Sequence, residues 1–152
     1  MVALRPLLVS DLGEVERWFD DAETQRWLGG REWPSQSLRL AGENRHVLLA
    51  TLDGSAVGLI DVETYSARRA SFAIVVAASA RRQGVGRRVL EAAIDDPRLA
   101  EVVEWFAGIE RGNEASRRLV ESIGFRPVTG EDADGFTYYA LGDVGVPWSL
   151  PE

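Results

Sequence analysis

Residues 71–90 read SFAIVVAASARRQGVGRRVL and form the most informative segment of the chain. The first six residues are almost wholly apolar, as expected of a strand covered on both faces. A short loop follows, and beyond it Val85, Val89 and Ala93 recur every four positions, which predicts an amphipathic helix. The segment therefore predicts a strand, a glycine-containing loop and a helix in succession.

The predicted loop has the features of an anion site. Gly84 and Gly86 let the backbone approach a ligand closely, and the start of the following helix presents unpaired N–H groups and the positive end of its dipole. Arginines crowd this segment of a chain whose net charge is −7, and they are Arg81, Arg82, Arg87 and Arg88. Their guanidinium groups can form charge-assisted hydrogen bonds. We expect this segment to hold a pyrophosphate.

Composition excludes several classes of function. The chain has no cysteine, one histidine and no lysine, which excludes a cysteine-based metal site, a Schiff-base lysine and a Walker-type phosphate loop. The glycine spacing also departs from the G-x-G-x-x-G pattern of dinucleotide-binding folds. A sequence pI near 4.8 argues against nucleic acid as the main partner. No apolar run approaches the length of a membrane span and the start lacks a secretory pattern, so we expect a cytoplasmic location without membrane contact.

Strands and helices are predicted along the whole chain. Before the central segment we expect a strand at 3–9, a helix from Ser10 or Asp11 to Asp20 with Glu14 completing a capping box, helices at 23–28 and from 33 toward 43, and a hairpin of strands 46–52 and 56–65. After it we expect a strand at 102–109, a helix capped by Asn113 and ended by Gly124, and strands at 125–128 and 136–141. This order predicts one α/β domain over residues 1–152, with a mixed sheet.

Two motifs connect the chain to a known family. Arg81-Arg82-Gln83-Gly84-Val85-Gly86 matches the [Q/R]-x-x-G-x-[G/A] signature of GNAT N-acetyltransferases, and residues 113–125, NEASRRLVESIGF, resemble the family's second motif, N-x-A-S-x-x-L-x-E-x-x-G-F. Leu4-Arg5-Pro6 and Arg26-Trp27-Leu28 resemble, more loosely, the branch with ribosomal-protein N-terminal and antibiotic acetyltransferases. The chain is thus identified as a member of the GNAT superfamily.

The resemblance implies a fold, a reaction and a set of cofactor contacts. The implied fold has a mixed central sheet, flanked by helices, whose two central parallel strands splay apart to admit acetyl-CoA. The implied reaction is direct transfer of acetyl to a primary amine in a ternary complex, without a metal. The implied cofactor-binding residues are Ile74, Val75 and Val76 through their backbone, the loop residues Arg81, Arg82, Gln83, Gly84, Val85, Gly86 and Arg87, and, near the pantetheine and sulfur, Asn113 and Ser116.

The chain departs from the family pattern at two places. Val120 stands where many relatives carry a tyrosine that protonates the leaving thiolate, and Ser71 stands where many carry a glutamate base. Ser116 is then a candidate donor to the sulfur, and either Glu63 or Asp61 a candidate acceptor of the amine proton. An alternative hypothesis is a catalytically weakened acyl-CoA-binding sensor or partner module.

The acceptor is the least determined part of the interpretation. A small amine or a protein N-terminus fits the family, a homodimer is common in it, and Trp27 and Trp33 are candidates for the wall of an acceptor pocket.

Overall fold

A seven-stranded mixed sheet carries the fold in the computed structural model, which describes residues 1–142 and 148–151. The strands are β1 (Val2–Pro6), β2 (Arg45–Leu52), β3 (Ser55–Tyr65), β4 (Arg69–Val76), β5 (Glu104–Glu110), β6 (Arg126–Pro127) and β7 (Phe136–Gly142). The helices are α1 (Leu12–Arg17), α2 (Ala22–Trp27), α3 (Trp33–Leu40), α4 (Val85–Ile94) and α5 (Glu114–Ile123). The strand order is β1-β2-β3-β4-β5-β7-β6. Only β4 and β5 run parallel, and the other neighbours are antiparallel.

The helices cover the two faces of the sheet in separate groups. On one face, Val15 and Phe19 from the α1 region pack against Leu49, Leu59 and Val75 of the sheet. On the other face, Val89 of α4 and Val120 of α5 pack in one cluster with Leu48 and Ile60 of the sheet. We call these the α1–α3 face and the α4–α5 face. None of the helices among the described residues is long and apolar enough to span a bilayer.

The predicted order of elements is confirmed, and the main differences lie near the N-terminus. The first strand ends at Pro6 instead of continuing to residue 9, because the chain turns where the Leu8 N–H bonds to Asp11 Oδ2 at 2.8 Å. The predicted helix from Ser10 or Asp11 to Asp20 is α1 flanked by 3-10 turns at Val9–Asp11 and Trp18–Asp20.

The predicted capping box of Asp11 and Glu14 is wrong. Asp11 points back along the chain, where its carboxylate accepts two bonds of 2.8 Å from the Arg5 guanidinium as well as the Leu8 N–H. The contact lowers the pKa of Asp11, chiefly through the hydrogen bonds from Arg5. Because such a carboxylate can accept either the N–H groups at a helix start or a nearby guanidinium, sequence spacing alone does not determine its hydrogen-bond partner.

Candidate active site

The parallel strands β4 and β5 pair only at their N-terminal ends. The ladder joins residues 69–71 to residues 104–106 and stops there. By contrast, β3 stays paired with β4 as far as Val76, and β7 stays paired with β5 as far as Glu110. The two strands therefore stop pairing beyond Ser71, and we call the space between their unpaired facing edges the cleft.

Backbone groups of β4 are directed into the cleft at alternate residues. The Ala77 N–H bonds to Val57 O on β3 at 2.9 Å, and such bonded pairs alternate along an antiparallel ladder. Val75 is thus bonded to β3 as well, whereas Ile74 and Val76 turn their N–H and C=O groups toward the cleft. Of the three residues predicted to bind the cofactor through their backbone, Ile74 and Val76 have these groups directed toward the cleft. Val75 is turned away, with its side chain buried in the α1–α3 core.

The loop from β4 to α4 lies at the open end of the cleft. Arg82 and Gly84 both adopt left-handed backbone conformations, with φ of 62° and 72°, and α4 starts directly after Gly84. The first N–H groups of α4, beginning with Val85, have no intrahelical acceptor, and Gly84 has no side chain to cap them. The side chains of Arg82, Gln83 and Arg87 are exposed around this helix start. The geometry leaves an uncapped, positively charged helix N-terminus beside the cleft.

Gly86 joins this loop to the second motif. A Cβ built on Gly86 would lie 2.6 Å from Leu119 Cδ1 on α5 and 3.6 Å from Val76 Cγ2 on β4. Gly86 is itself buried. A side chain at this position would therefore require Leu119 to shift, independently of any ligand.

Helix α5 begins as the sequence predicts. Asn113 caps it, with its Oδ1 accepting the Ser116 N–H at 3.3 Å. Val120, one turn beyond Ser116 and on the same side of the helix, is only 2% exposed and faces the sheet. Ser116 is half-buried and carries a hydroxyl on this face of α5, whereas Val120 on the same face carries none.

The Arg81 side chain connects the loop to α2. Its Nη2 donates to Asp21 Oδ2 at 2.8 Å and to Thr24 Oγ1 at 2.7 Å. Asp21 is also the N-cap of α2, through the Thr24 N–H at 3.0 Å. The guanidinium holds the pKa of Asp21 at about 2. Arg81 thus fastens the predicted cofactor loop to a helix on the opposite face of the sheet, and in this arrangement its charge is already partnered.

A polar cluster lies on the α1–α3 face, next to the closed end of the cleft. Asp61 is 4% exposed and receives two bonds of 2.9 Å from Arg45. Glu63 receives a longer bond from the same guanidinium, 3.3 Å, and its side chain remains 39% exposed. Because Asp61 is buried and fully engaged, Glu63 is the better placed of the two candidate proton acceptors.

Tyr65 joins Glu63 to Ser71. Its hydroxyl donates to Glu63 Oε2 and lies 3.3 Å from Ser71 Oγ. Its ring packs against Phe106 of β5, with centroids 5.7 Å apart, and so reaches across β4. No sequence motif singles out Tyr65. Its spacing of two residues from Glu63 puts both side chains on one face, but the contact with Ser71 depends on the β3–β4 register.

The two candidate tryptophans have different places. Trp33 stacks on Phe19 at 5.5 Å and belongs to the α1–α3 core. Trp27 lies 3.7 Å from a Cβ built on Gly112, directly beyond β5, so it borders the open end of the cleft. The prediction of an acceptor wall stays open for Trp27 and is disfavoured by packing for Trp33.

Side chains fasten the closed end of the cleft. Arg69 on β4 and Glu104 on β5 form a bidentate pair of 3.0 and 3.1 Å, with side chains 14% and 5% exposed. Trp148 donates its indole N–H to Glu104 Oε1 at 2.6 Å and lies under the Arg69 guanidinium. The parallel strands are thus held together at one end by a buried ion pair.

The fold and the cleft are those of a GNAT acetyltransferase. The Acetyltransferase (GNAT) domain model matches residues 2–126, so the chain belongs to this family. A relative in sequence is the uncharacterized N-acetyltransferase YfmK of Bacillus subtilis strain 168. It is 27% identical over 132 residues, which cover 83% of this chain and 86% of the relative.

Solved structures share the fold at low sequence identity. An aminoglycoside acetyltransferase AAC(6')-Ib in complex with coenzyme A superimposes with a TM-score of 0.76 at 22% identity, covering 93% of this chain and 95% of the other. Mycobacterium smegmatis RimJ in complex with CoA-disulfide has a TM-score of 0.70 at 20% identity, covering 93% and 81%. The seven-stranded mixed sheet flanked by helices is therefore the GNAT fold.

Proposed function

We propose that the protein transfers an acetyl group from acetyl-CoA to a primary amine by direct attack in a ternary complex. The observation that carries the proposal is the cleft itself. A parallel strand pair that ends at Ser71 leaves backbone donors of β4 unpaired by β5, immediately beside the uncapped start of α4. Membership of the GNAT family and solved neighbours that hold coenzyme A support the same conclusion.

The cofactor would lie along β4 from the α4–α5 face. The pantetheine amides would pair with Ile74 and Val76 as a neighbouring strand does. The pyrophosphate would sit at the N-terminus of α4, where Val85, Gly86 and Arg87 offer N–H groups. Exposed Arg82 and Gln83 would contribute from the loop, while Arg81 would act from its position against α2. Asn113 would stand near the pantetheine through the start of α5.

The amine would approach from the α1–α3 face, because the cofactor occupies the other side of the cleft. A backbone N–H of Ile74 or Val76 would polarise the thioester carbonyl and stabilise the oxyanion. Glu63 would take the amine proton, and Ser116 would donate to the departing sulfur. Positioning supplies much of the rate in such a reaction, so an exchanged acid or base lowers turnover without abolishing it.

The acceptor would be a cationic small molecule or a protein N-terminus. An open cavity of about 300 Å³ lies at the end of β5 and is lined by Glu110, Arg111, Ala133, Asp134 and Gly135. Its carboxylates, and the net charge of −7, favour a positively charged acceptor. Some neighbouring structures are described with aminoglycosides, kanamycin and ribostamycin among them. A homodimer, a cytoplasmic location and a reaction without metal stay predictions.

One observation favours the alternative of an acyl-CoA-binding module without turnover. Val120 is buried and apolar where a hydroxyl would protonate the thiolate in many relatives. Such a module predicts cofactor binding without amine-dependent release of free thiol, and a single robust acceptor would exclude it.

Calorimetric titration of acetyl-CoA, followed by a thiol-release assay, tests the proposal. Gln83→Glu is the informative variant, because Gln83 is exposed and an acidic side chain before α4 suits the helix dipole while repelling a pyrophosphate. A Gly86 variant is less informative, because a side chain there would also displace Leu119 and change the packing of α4 against α5. We expect micromolar binding to the wild type and about tenfold weaker binding to Gln83→Glu. Gln36→Glu, an exposed change of the same kind on α3, should bind like the wild type.

The thiol assay then uses a panel of primary alkylamines, amino acids, polyamines, aminoglycosides and peptides with a free N-terminus. Release that requires both acetyl-CoA and an amine supports the transferase. Binding without release for any amine favours the binding module, and no binding to folded wild type contradicts both.

A further inference from the structure

We propose that Ser71 and Tyr65 form a two-hydroxyl relay that carries the amine proton from the cleft to Glu63. The inference rests on the proposed acetyl transfer and adds two residues to it. Ser71 is the last residue of β4 that pairs with β5, so its side chain marks the closed end of the cleft. Ser71 and Glu63 are cross-strand partners in the β3–β4 ladder, which places both side chains on the α1–α3 face.

The carboxylate of Glu63 does not face the cleft directly. It belongs to β3, and β4 lies between it and the cleft, a separation of about 4.8 Å per strand. Both of its oxygens are engaged, Oε1 by Arg45 at 3.3 Å and Oε2 by the Tyr65 hydroxyl. An amine in the cleft therefore reaches Glu63 through an intermediate group, and the structure holds a continuous one.

Tyr65 supplies that connection. Its hydroxyl touches Glu63 on one side and lies 3.3 Å from Ser71 Oγ on the other. Contact with Phe106 of β5 keeps the ring extended across β4. Burial and the bond to Glu63 raise the pKa of Tyr65, so the phenol carries its proton at neutral pH and can give it to Glu63 as it receives another.

The proton transfers balance with the acyl transfer. The amine nitrogen forms a bond to the thioester carbon and gives a proton through a water molecule to Ser71 Oγ, because Ser71 lies about 10 Å along β4 from Ile74. The proton of Ser71 moves to Tyr65 Oη, and the proton of Tyr65 moves to Glu63 Oε2. The carbon–sulfur bond breaks with its electron pair on sulfur, and the thiolate takes a proton from solvent through Ser116. Glu63, which is 39% exposed on its side chain, returns the amine proton to water.

Tyr65→Phe and Ser71→Ala test the relay, with two amines that differ in basicity. The amines are the alkylamine of the panel that the wild type acetylates fastest and its β,β-difluoro analogue, which has a much lower ammonium pKa. With saturating acetyl-CoA at pH 7, we expect each variant to lose at least tenfold in kcat/KM for the alkylamine. The loss should shrink to about twofold for the fluorinated amine, which needs less help to give up a proton. Binding of acetyl-CoA should stay within twofold of the wild type.

Tyr139→Phe is the matched control, because it removes a phenol from the α4–α5 face and should leave both amines unaffected. Wild-type kcat/KM in Tyr65→Phe with the alkylamine would overturn the relay. So would an equal loss with both amines, which would mean that Tyr65 only supports the shape of the site. If the wild type itself acetylates no amine, the proposed function fails, and that result is distinct from a turning-over enzyme that ignores Tyr65.

Discussion

The two ends of the β4–β5 pair are built in opposite ways. At the closed end the backbone ladder is complete and the buried pair of Arg69 and Glu104 crosses it. At the open end β4 stays paired with β3 and β5 stays paired with β7, but β4 and β5 no longer pair with each other. The pairing of β7 with β5 continues over the full length of β5, so the separation is confined to the facing edges of β4 and β5.

The difference shows how one pair of strands supplies both rigidity and a binding edge. Unpaired strand backbone is ordinarily a liability, and here it is confined to the interior, between helices on both faces. The closed end fixes the angle at which the strands diverge. The open end then offers backbone donors to a ligand at positions that the closed end determines. Disrupting either end should therefore have separable consequences.

The largest effect is expected from breaking the closed end. Glu104→Ala leaves Arg69 buried without its partner and removes the acceptor of the Trp148 N–H. Removing one member of a buried ion pair costs about 3–5 kcal/mol in the free energy of unfolding. Denaturant titration measures this loss.

Glu131→Ala is the control for that change. It removes a glutamate paired with Arg111 at the surface, and the free energy of unfolding should hardly change. If both variants lose the same stability, the ion pair does not hold the closed end together.

The second largest effect concerns the open end, where the contact of Arg81 with Asp21 connects the loop to α2. The pKa of Asp21 is about 2 in the folded protein, against an ordinary value of 3.8. A lowered folded-state pKa stabilises the fold above the unfolded-state value, and this contribution disappears as pH falls from about 4 toward 2. We expect a contribution of about 1–2 kcal/mol, because Asp21 is partly exposed.

Unfolding titrations at pH 5 and pH 2.5 test this contribution. The stability of Asp21→Asn should change less between the two pH values than that of the wild type. Asp95→Asn, at the exposed end of α4, should retain the pH dependence of the wild type. An unchanged pH dependence in Asp21→Asn would mean that the contact with Arg81 contributes little.

Local sequence signals predicted a large part of this arrangement. The apolar run of β4, Gly84 before α4 and the Asn113 cap are each short-range patterns, and they lie where predicted. Contacts across the chain were beyond such signals. Asp21 is 60 residues from Arg81, and nothing local distinguishes that arginine from Arg82.

Register explains the remaining differences. Which amides of β4 face the cleft depends on which residues β3 engages, and a shift of one residue would exchange Val75 for Ile74 and Val76. The same register brings Tyr65 to Ser71. Periodicity indicates that a strand exists and which side chains alternate, but it does not assign hydrogen-bond direction to a neighbour.

The smallest effect, and the most direct comparison, comes from replacing single amides of β4 by esters, which removes one N–H and keeps every side chain. An ester at Val75 removes a bond to β3 and should lower the free energy of unfolding by about 1 kcal/mol. Esters at Ile74 and Val76 remove donors that face the cleft and only weaken the preceding carbonyl as an acceptor for β3, so the free protein should lose less stability than with the ester at Val75. Their effect should appear on acetyl-CoA binding, with about fivefold weaker affinity at one or both positions. Because the three residues are consecutive, each ester serves as the control for its neighbour. A loss of affinity with the ester at Val75, without a loss of stability, would contradict the assignment of which N–H groups of β4 face the cleft. It would place the ligand on the side of β3.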